Sequence, residues 1–154
     1  MVPNTYTQIY IQIVFAVMRR ENLIPAQHRE ELHKYITGIL KNHDQKMISI
    51  FAMPDHVHIF AGFRPSISIS DLVKHVKAGS SAFINEKSWM RQRFNWQEGF
   101  GAFSYSHSQI GNVATYIQNQ EAHHKKETFR VEYERLLKEF GVDYKPEYLF
   151  KDVL

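Results

Sequence analysis

Residues 6–17 (YTQIYIQIVFAV) alternate along their whole length. Thr7, Ile9, Ile11, Ile13, Phe15 and Val17 fall on one face, and Tyr6, Gln8, Tyr10 and Gln12 on the other. A period of two predicts a long strand with one face in the core. The polar face is then either wet or set against a partner. Next the period lengthens. Leu32, Tyr35, Ile36, Ile39 and Leu40 recur at helical spacing after Pro25, which predicts a helix over about 26–41 ending near Asn42. Residues 46–53 and 56–63 read as two strands, and the Pro54-Asp55 break between them makes a hairpin. Ser68 and Asp71 form a capping-box-like start for a helix over about 70–87, with Leu72, Val73, Val76, Phe83 and Ile84 as its buried stripe. Residues 93–107 predict irregular chain and one more strand, with Gly99 and Gly101 as flexible points. Ser106 or Ser108 can cap a helix over about 109–125, and a last helix over about 127–140 stops near Gly141. The tail, 142–154, reads as aromatic and extended.

The order is strand, helix, strand, strand, helix, strand, then two helices. The first six elements are the βαββαβ order of a ferredoxin-like α+β sandwich with an antiparallel sheet. One domain is expected over 1–154: a core of about 5–108, a helix carrying Tyr116 over about 109–125, and a final helix and tail. Hydrophobic residues make up 44% and charged residues 23%, which suits a packed globular chain rather than a disordered one. Nineteen Lys and Arg against 16 Asp and Glu leave a net charge of +3. That is compatible with a phosphate-bearing partner without demanding one. The absence of Cys excludes disulfides, thiolate metal sites and Cys nucleophiles. The start, Met1-Val2-Pro3-Asn4-Thr5, has no basic segment followed by an apolar run, so no signal peptide is expected. No stretch nears the roughly 20 apolar residues of a membrane span. A cytoplasmic protein with no membrane partner is the expectation.

Two constellations carry candidate chemistry. The first is His56-Val57-His58 in the second hairpin strand. Residues i and i+2 share a face of a strand, so the two imidazoles project side by side from Cα atoms about 6.5–7 Å apart. That spacing suits one cation, although exposed, hydrogen-bonded surface histidines explain a lone His-x-His equally well, and a third ligand must come from elsewhere in the fold. The second is Tyr116 with Gln120, four residues apart and so neighbours on one helix face. Ile110, Val113, Ala114 and Ile117 form that helix's apolar stripe, and Tyr116 lies about 100° from its centre, beside Gln120 and His123. A phenol of pKa about 10 is a poor nucleophile at neutral pH, and a nearby cation would stabilise its phenolate. Taken alone, a rim tyrosine without a function explains this position better.

Together the two constellations resemble the single-tyrosine HUH transposases, those of the insertion-sequence 200/605 group and their relatives associated with repetitive palindromic elements. His56-Val57-His58, in its Pro-Asp-His-Val-His setting, matches the His-hydrophobic-His motif, and residues 116–120 (YIQNQ) match the tyrosine segment. Residues 6–17, 69–84 and 96–109 are similar as well, so the resemblance covers nearly the whole chain. It implies His56, His58 and Gln120 as metal ligands and Tyr116 as the nucleophile. It also implies a Mg²⁺ or Mn²⁺ cofactor, although imidazole favours softer ions and other divalent metals could bind. The implied substrate is single-stranded DNA with hairpin ends, cleaved and rejoined through a 5′-phosphotyrosine. The implied assembly is a homodimer whose active sites are shared between subunits. Lys74, Lys77, Arg91, Arg93, Lys125 and Lys126 are candidate phosphate contacts, although a solvated charge is the better reading of any one of them.

Other functions fit parts of the pattern. A metal-dependent nuclease or phosphodiesterase could use the His pair with an activated water and would not need Tyr116. A non-catalytic nucleic-acid-binding module on the same fold would need stacking aromatics in a Lys/Arg-Gly-Phe/Tyr-type strand, which the chain lacks. Tyr105 is a lesser candidate nucleophile. His123 and His124 stay open: His123 shares the Tyr116 face and could carry protons or contact phosphate, although a solvated helix end is the better reading.

Overall fold

The alternating segment becomes β1, Tyr10–Ala16, in a computed structural model that describes residues 4–20 and 23–149. Met1 to Pro3, on which the leader expectation rests in part, and tail residues 150–154 lie outside the described residues. Pairing begins only at Tyr10 because its partner strands run out there, at Gly62 on one side and Tyr105 on the other. A single 3-10 turn, Ala26–His28, leads into α1, Arg29–Asn42. The hairpin is β2, Lys46–Met53, and β3, His56–Gly62. α2 is Ile69–Lys87, and the Ser68 hydroxyl caps it by accepting from the Asp71 N–H at 3.0 Å. β4 is Gly101–Tyr105.

The sheet order is β2-β3-β1-β4, antiparallel throughout. β1 and β2 flank β3, so each of the two βαβ units is split by an inserted strand, as in a ferredoxin-like sandwich. One sheet face carries Ile11, Ile13, Phe15, Val57, Ile59 and Ala61, which pack under Leu32, Ile36 and Leu40 of α1 and Leu72, Val76 and Ile84 of α2. This is the expected core, except that Tyr35 stays exposed and Ile39 and Phe83 are only partly buried.

The C-terminal third departs from expectation. Residues 109–125 form not one helix but two, α3, Ile110–Gln118, and α4, Gln120–His123. The break falls at Asn119, whose N–H is shared between the carbonyls of Thr115 and Tyr116. α5, Phe129–Glu139, starts at a Thr128 cap. These helices fold over the second sheet face, so the polar side of β1 is not left wet. Val113 and Ile117 of α3 pack on Phe51 and Phe60. Phe129, Leu136 and Leu137 of α5 pack on Val14, Ala16 and Phe103. Gly101 permits close approach of α5, since a Cβ there would lie 2.7 Å from the Tyr133 ring. The described tail contains a 3-10 turn, Pro146–Tyr148, rather than only extended chain. No helix among the described residues is long and apolar enough to cross a membrane.

Candidate metal centre and nucleophile

The alternation that sends Val57 and Ile59 into the first core sends His56 and His58 to the second face. Both are fully buried there. Each imidazole is held from behind. His56 Nδ1–H donates to Asp55 Oδ1 at 2.7 Å, and His58 Nδ1–H donates to Gln12 Oε1 at 2.7 Å. The Phe129 ring stacks on His56, with centroids 3.9 Å apart. With their Nδ1 protons committed, both rings present Nε2 to the space beneath α3, α4 and α5.

That space is filled by Glu132, a wholly buried carboxylate on α5. Its Oε1 lies 3.1 Å from His58 Nε2, 3.0 Å from His124 Nε2 and 3.7 Å from His56 Nε2. Its Oε2 accepts from Gln120 Nε2 at 3.2 Å and from the Tyr116 hydroxyl. Gln120 Oε1 is 3.4 Å from His56 Nε2. The four residues singled out as metal ligands and nucleophile therefore meet, all within one chain. Tyr116 and Gln120 reach this point from either side of the Asn119 break rather than along one helix.

The electrostatics follow from burial and charge. Burial alone would raise the Glu132 carboxyl, but hydrogen bonds from His124 and His58 outweigh it and hold the group far below the usual carboxylate range. His124 is shifted up: burial works against its charged form, and the bond to Glu132 more than compensates. Burial lowers His56 in spite of Asp55. Tyr116 is raised, first by burial and then by the adjacent Glu132 charge, with Arg135 opposing.

Sequence does not single out Glu132, and it leaves His124 open with no ligand role. For Glu132 a signal existed: it shares the buried stripe of its helix with Phe129 and Leu136, and an acid in an apolar stripe needs a partner. His123 sits at the rim, its ring 4.7 Å from Tyr116 and its Nε2 2.9 Å from Glu127. Tyr105 is elsewhere engaged. Its hydroxyl accepts from Gln12 at 2.7 Å, and burial pushes it up to about 12.

The basic residues are not gathered at the site. Lys74 and Lys77 lie on α2, across the sheet. Lys77 Nζ donates to the carbonyls of Gln97 and Gly99, each at 2.7 Å, and so ties a loop. Arg91 and Arg93 are exposed between α2 and β4. Lys125 and Lys126 are exposed just past α4, next in sequence to His124.

Comparison with known proteins gives a consistent picture. The transposase ISDra2 TnpA of Deinococcus radiodurans is 24% identical over 127 residues, covering 78% of this chain and 87% of the relative. A crystal structure of a candidate transposase from Deinococcus radiodurans superposes with a TM-score of 0.63 at 19% identity, over 78% of this chain and 96% of that one. A REP-associated tyrosine transposase bound to a REP hairpin superposes with a TM-score of 0.58 at 14% identity, over 80% of this chain and 73% of that one. At such identities these two structures establish the shared fold. The family model of IS200-like transposases matches residues 5–120, from the start of the alternating segment through Gln120, and the chain belongs to that family.

Proposed function

We propose that this chain is a DNA transposase that cleaves and rejoins single-stranded DNA through a 5′-phosphotyrosine on Tyr116, with a divalent metal held beside it. The observation that carries the reading is the meeting of the Tyr116 hydroxyl and the His56/His58 pair on one buried carboxylate, Glu132.

The donor set fits a cation. His56 Nε2, His58 Nε2, His124 Nε2 and a Glu132 oxygen all lie within 4.8 Å of one another. The Nδ1 protons of His56 and His58 point away, at Asp55 and Gln12, which leaves Nε2 of each ring on the Glu132 side. An Nε2 that stands 3.1 Å from a carboxylate oxygen requires either a proton or a metal ion between them. His56 and His58 would hold the metal, with Glu132, Gln120 Oε1 and His124 as the remaining donors. Three imidazoles with oxygen ligands suit Mn²⁺ or a softer divalent ion better than Mg²⁺, although Mg²⁺ accepts the oxygen donors. Such an ion would supply Lewis-acid polarisation of the scissile phosphate.

The chain's own residues do the rest. Tyr116 Oη attacks phosphorus, the P–O3′ bond breaks, and its electron pair leaves with O3′. Glu132 Oε2 accepts the phenolic hydrogen bond and so orients Oη; the phenolic proton passes to solvent as Oη bonds to phosphorus, and O3′ takes a proton from solvent. The covalent link conserves the phosphodiester energy, so a second 3′-hydroxyl can reverse the step and join new ends. The hairpin-bound relative supports a substrate of single-stranded DNA with hairpin ends. Lys125 and Lys126, beside the site, would contact backbone phosphates, and Lys74, Arg91 and Arg93 a strand running past α2. The assembly is proposed as a homodimer.

The test is incubation with labelled single-stranded DNA carrying the element's own end, plus Mn²⁺. A denaturation-resistant adduct that vanishes in Tyr116→Phe and on chelation supports the reading. Full cleavage by Tyr116→Phe would replace it with a nuclease that uses activated water.

A further inference from the structure

Arg135 lies on α5, fifteen residues beyond the stretch that matches the family model. Its guanidinium donates to the Tyr116 hydroxyl oxygen at 3.0 Å, and its Cζ stands 5.9 Å from the centre of the Tyr116 ring. It does not hang free. Glu127 accepts from the same nitrogen at 2.9 Å, and Glu139 lies 3.8 Å from the other terminal nitrogen. Two carboxylates thus aim one cation at the nucleophilic atom. Location adds to this. His56, His58, Gln120 and Glu132 are fully buried, whereas the Arg135 side chain is 42% exposed and that of His123 33%. A DNA phosphate coming to Tyr116 from solvent passes this rim.

We infer that Arg135 is a catalytic residue of strand cleavage, one that holds the Tyr116 oxygen as it becomes a phenolate and clamps a non-bridging oxygen of the scissile phosphate. This rests on the transposase reading above. The chemical balance is that of the step itself: the Oη–P bond forms, the P–O3′ bond breaks with its electron pair on O3′, the phenolic proton passes to solvent and O3′ takes a proton from solvent. Guanidinium suits the task because it stays charged and offers several donors in a planar fork, enough to serve Tyr116 and a phosphate oxygen together. Geometry supplies the need: Oη stands between the Glu132 carboxylate, which accepts from it, and the Arg135 guanidinium, which donates to it at 3.0 Å. A donor placed where charge develops acts in the transition state more than in binding.

The experiment is single-turnover adduct formation on labelled single-stranded oligonucleotides tiled from the DNA flanking the gene, with Mn²⁺, for wild type, Arg135→Ala and Arg135→Lys. We expect the saturating rate of Arg135→Ala to fall about 100-fold, as for loss of one transition-state donor. The DNA concentration for half-saturation should change less than about threefold, since the donor acts after binding. Arg135→Lys should fall in between. Added guanidinium ion should restore part of the Arg135→Ala rate, which it would not do if Arg135 only braced α5 on Tyr116. Melting temperature and Mn²⁺ affinity without DNA serve as folding controls, and Arg135→Lys carries the test should the alanine variant unfold. An Arg135→Ala rate near wild type, or a loss confined to DNA affinity without rescue, overturns the assignment and leaves the transposase reading intact. No adduct from wild type, with Mn²⁺ still bound, overturns both.

Discussion

Gln12 is a fully buried amide in the middle of a strand, between Phe60 and Phe103 of its neighbours. It is satisfied on both ends, accepting from His58 and donating to Tyr105. In the proposed site this contact would fix which His58 nitrogen carries the proton and leave Nε2 for the metal. Gln12→Leu should therefore weaken Mn²⁺ binding by about 10–100-fold, read by calorimetry, while the fold persists. His124 gives a pH-dependent expectation. Its folded pKa is raised above the ordinary 6.5, so the stability it lends is fully present below 6.5 and is lost as pH rises through the folded value. In chelator-treated protein, His124→Gln should lower the melting temperature more at about pH 5.5 than at about pH 8.5. An equal loss at both would sever His124 from Glu132. The His pair was legible in sequence because a period of two needs only neighbouring residues. For Glu132 the helix stripe signalled burial but not the partner, because His58 is 74 positions away and only the fold brings them together.

At the level of elements, α5 decides whether the site exists. It brings Phe129 onto His56, Glu132 between the ligands and Arg135 onto Tyr116. Its seat on the sheet depends on Gly101, where a Cβ would press on the Tyr133 ring at 2.7 Å and its hydroxyl at 2.8 Å. Gly101→Ala should cost about 1–3 kcal/mol, the range of core overpacking, and should weaken metal binding by displacing the residue next to Glu132. Gly111→Ala on α3 is the control. Nothing stands within 4 Å of a Cβ there, so helix propensity should stabilise it by up to about 1 kcal/mol. Thermal melts of both variants check the pair. Most element boundaries could be read from hydrophobic period and caps. The break at Asn119 could not, because the apolar stripe already ends at Ile117 and residues 118–125 (QNQEAHHK) contain no Gly or Pro to mark a stop.

For the whole molecule, the question is whether one chain makes one site. Tyr116 bonds to Glu132 of its own chain, and Glu132 pairs with the same chain's His58. In a homodimer, exchange of tyrosine helices would trade each contact for an identical one, so the difference in free energy would sit in the hinge. Here that hinge would be residues 106–109, which link β4 to α3. It is a tight turn, not a loose linker: Ser106 and Gln109 form a capping box around the His107–Gln109 3-10 helix. That turn directs α3 straight back onto Phe51 and Phe60 of its own sheet, and exchange would have to open it. The intrachain site should therefore persist in the dimer. Mixing a His56→Ala/His58→Ala chain with a Tyr116→Phe chain separates the cases. With intrachain sites, every site in the mixed dimer lacks either its ligands or its nucleophile, and no adduct forms. With exchanged helices, one site of each mixed dimer has both, and adduct returns. We expect none, measured on the same single-stranded DNA after the chains have been unfolded and refolded together to ensure exchange. Recovery of adduct would show that the hinge opens on dimerisation and that the tyrosine serves its partner.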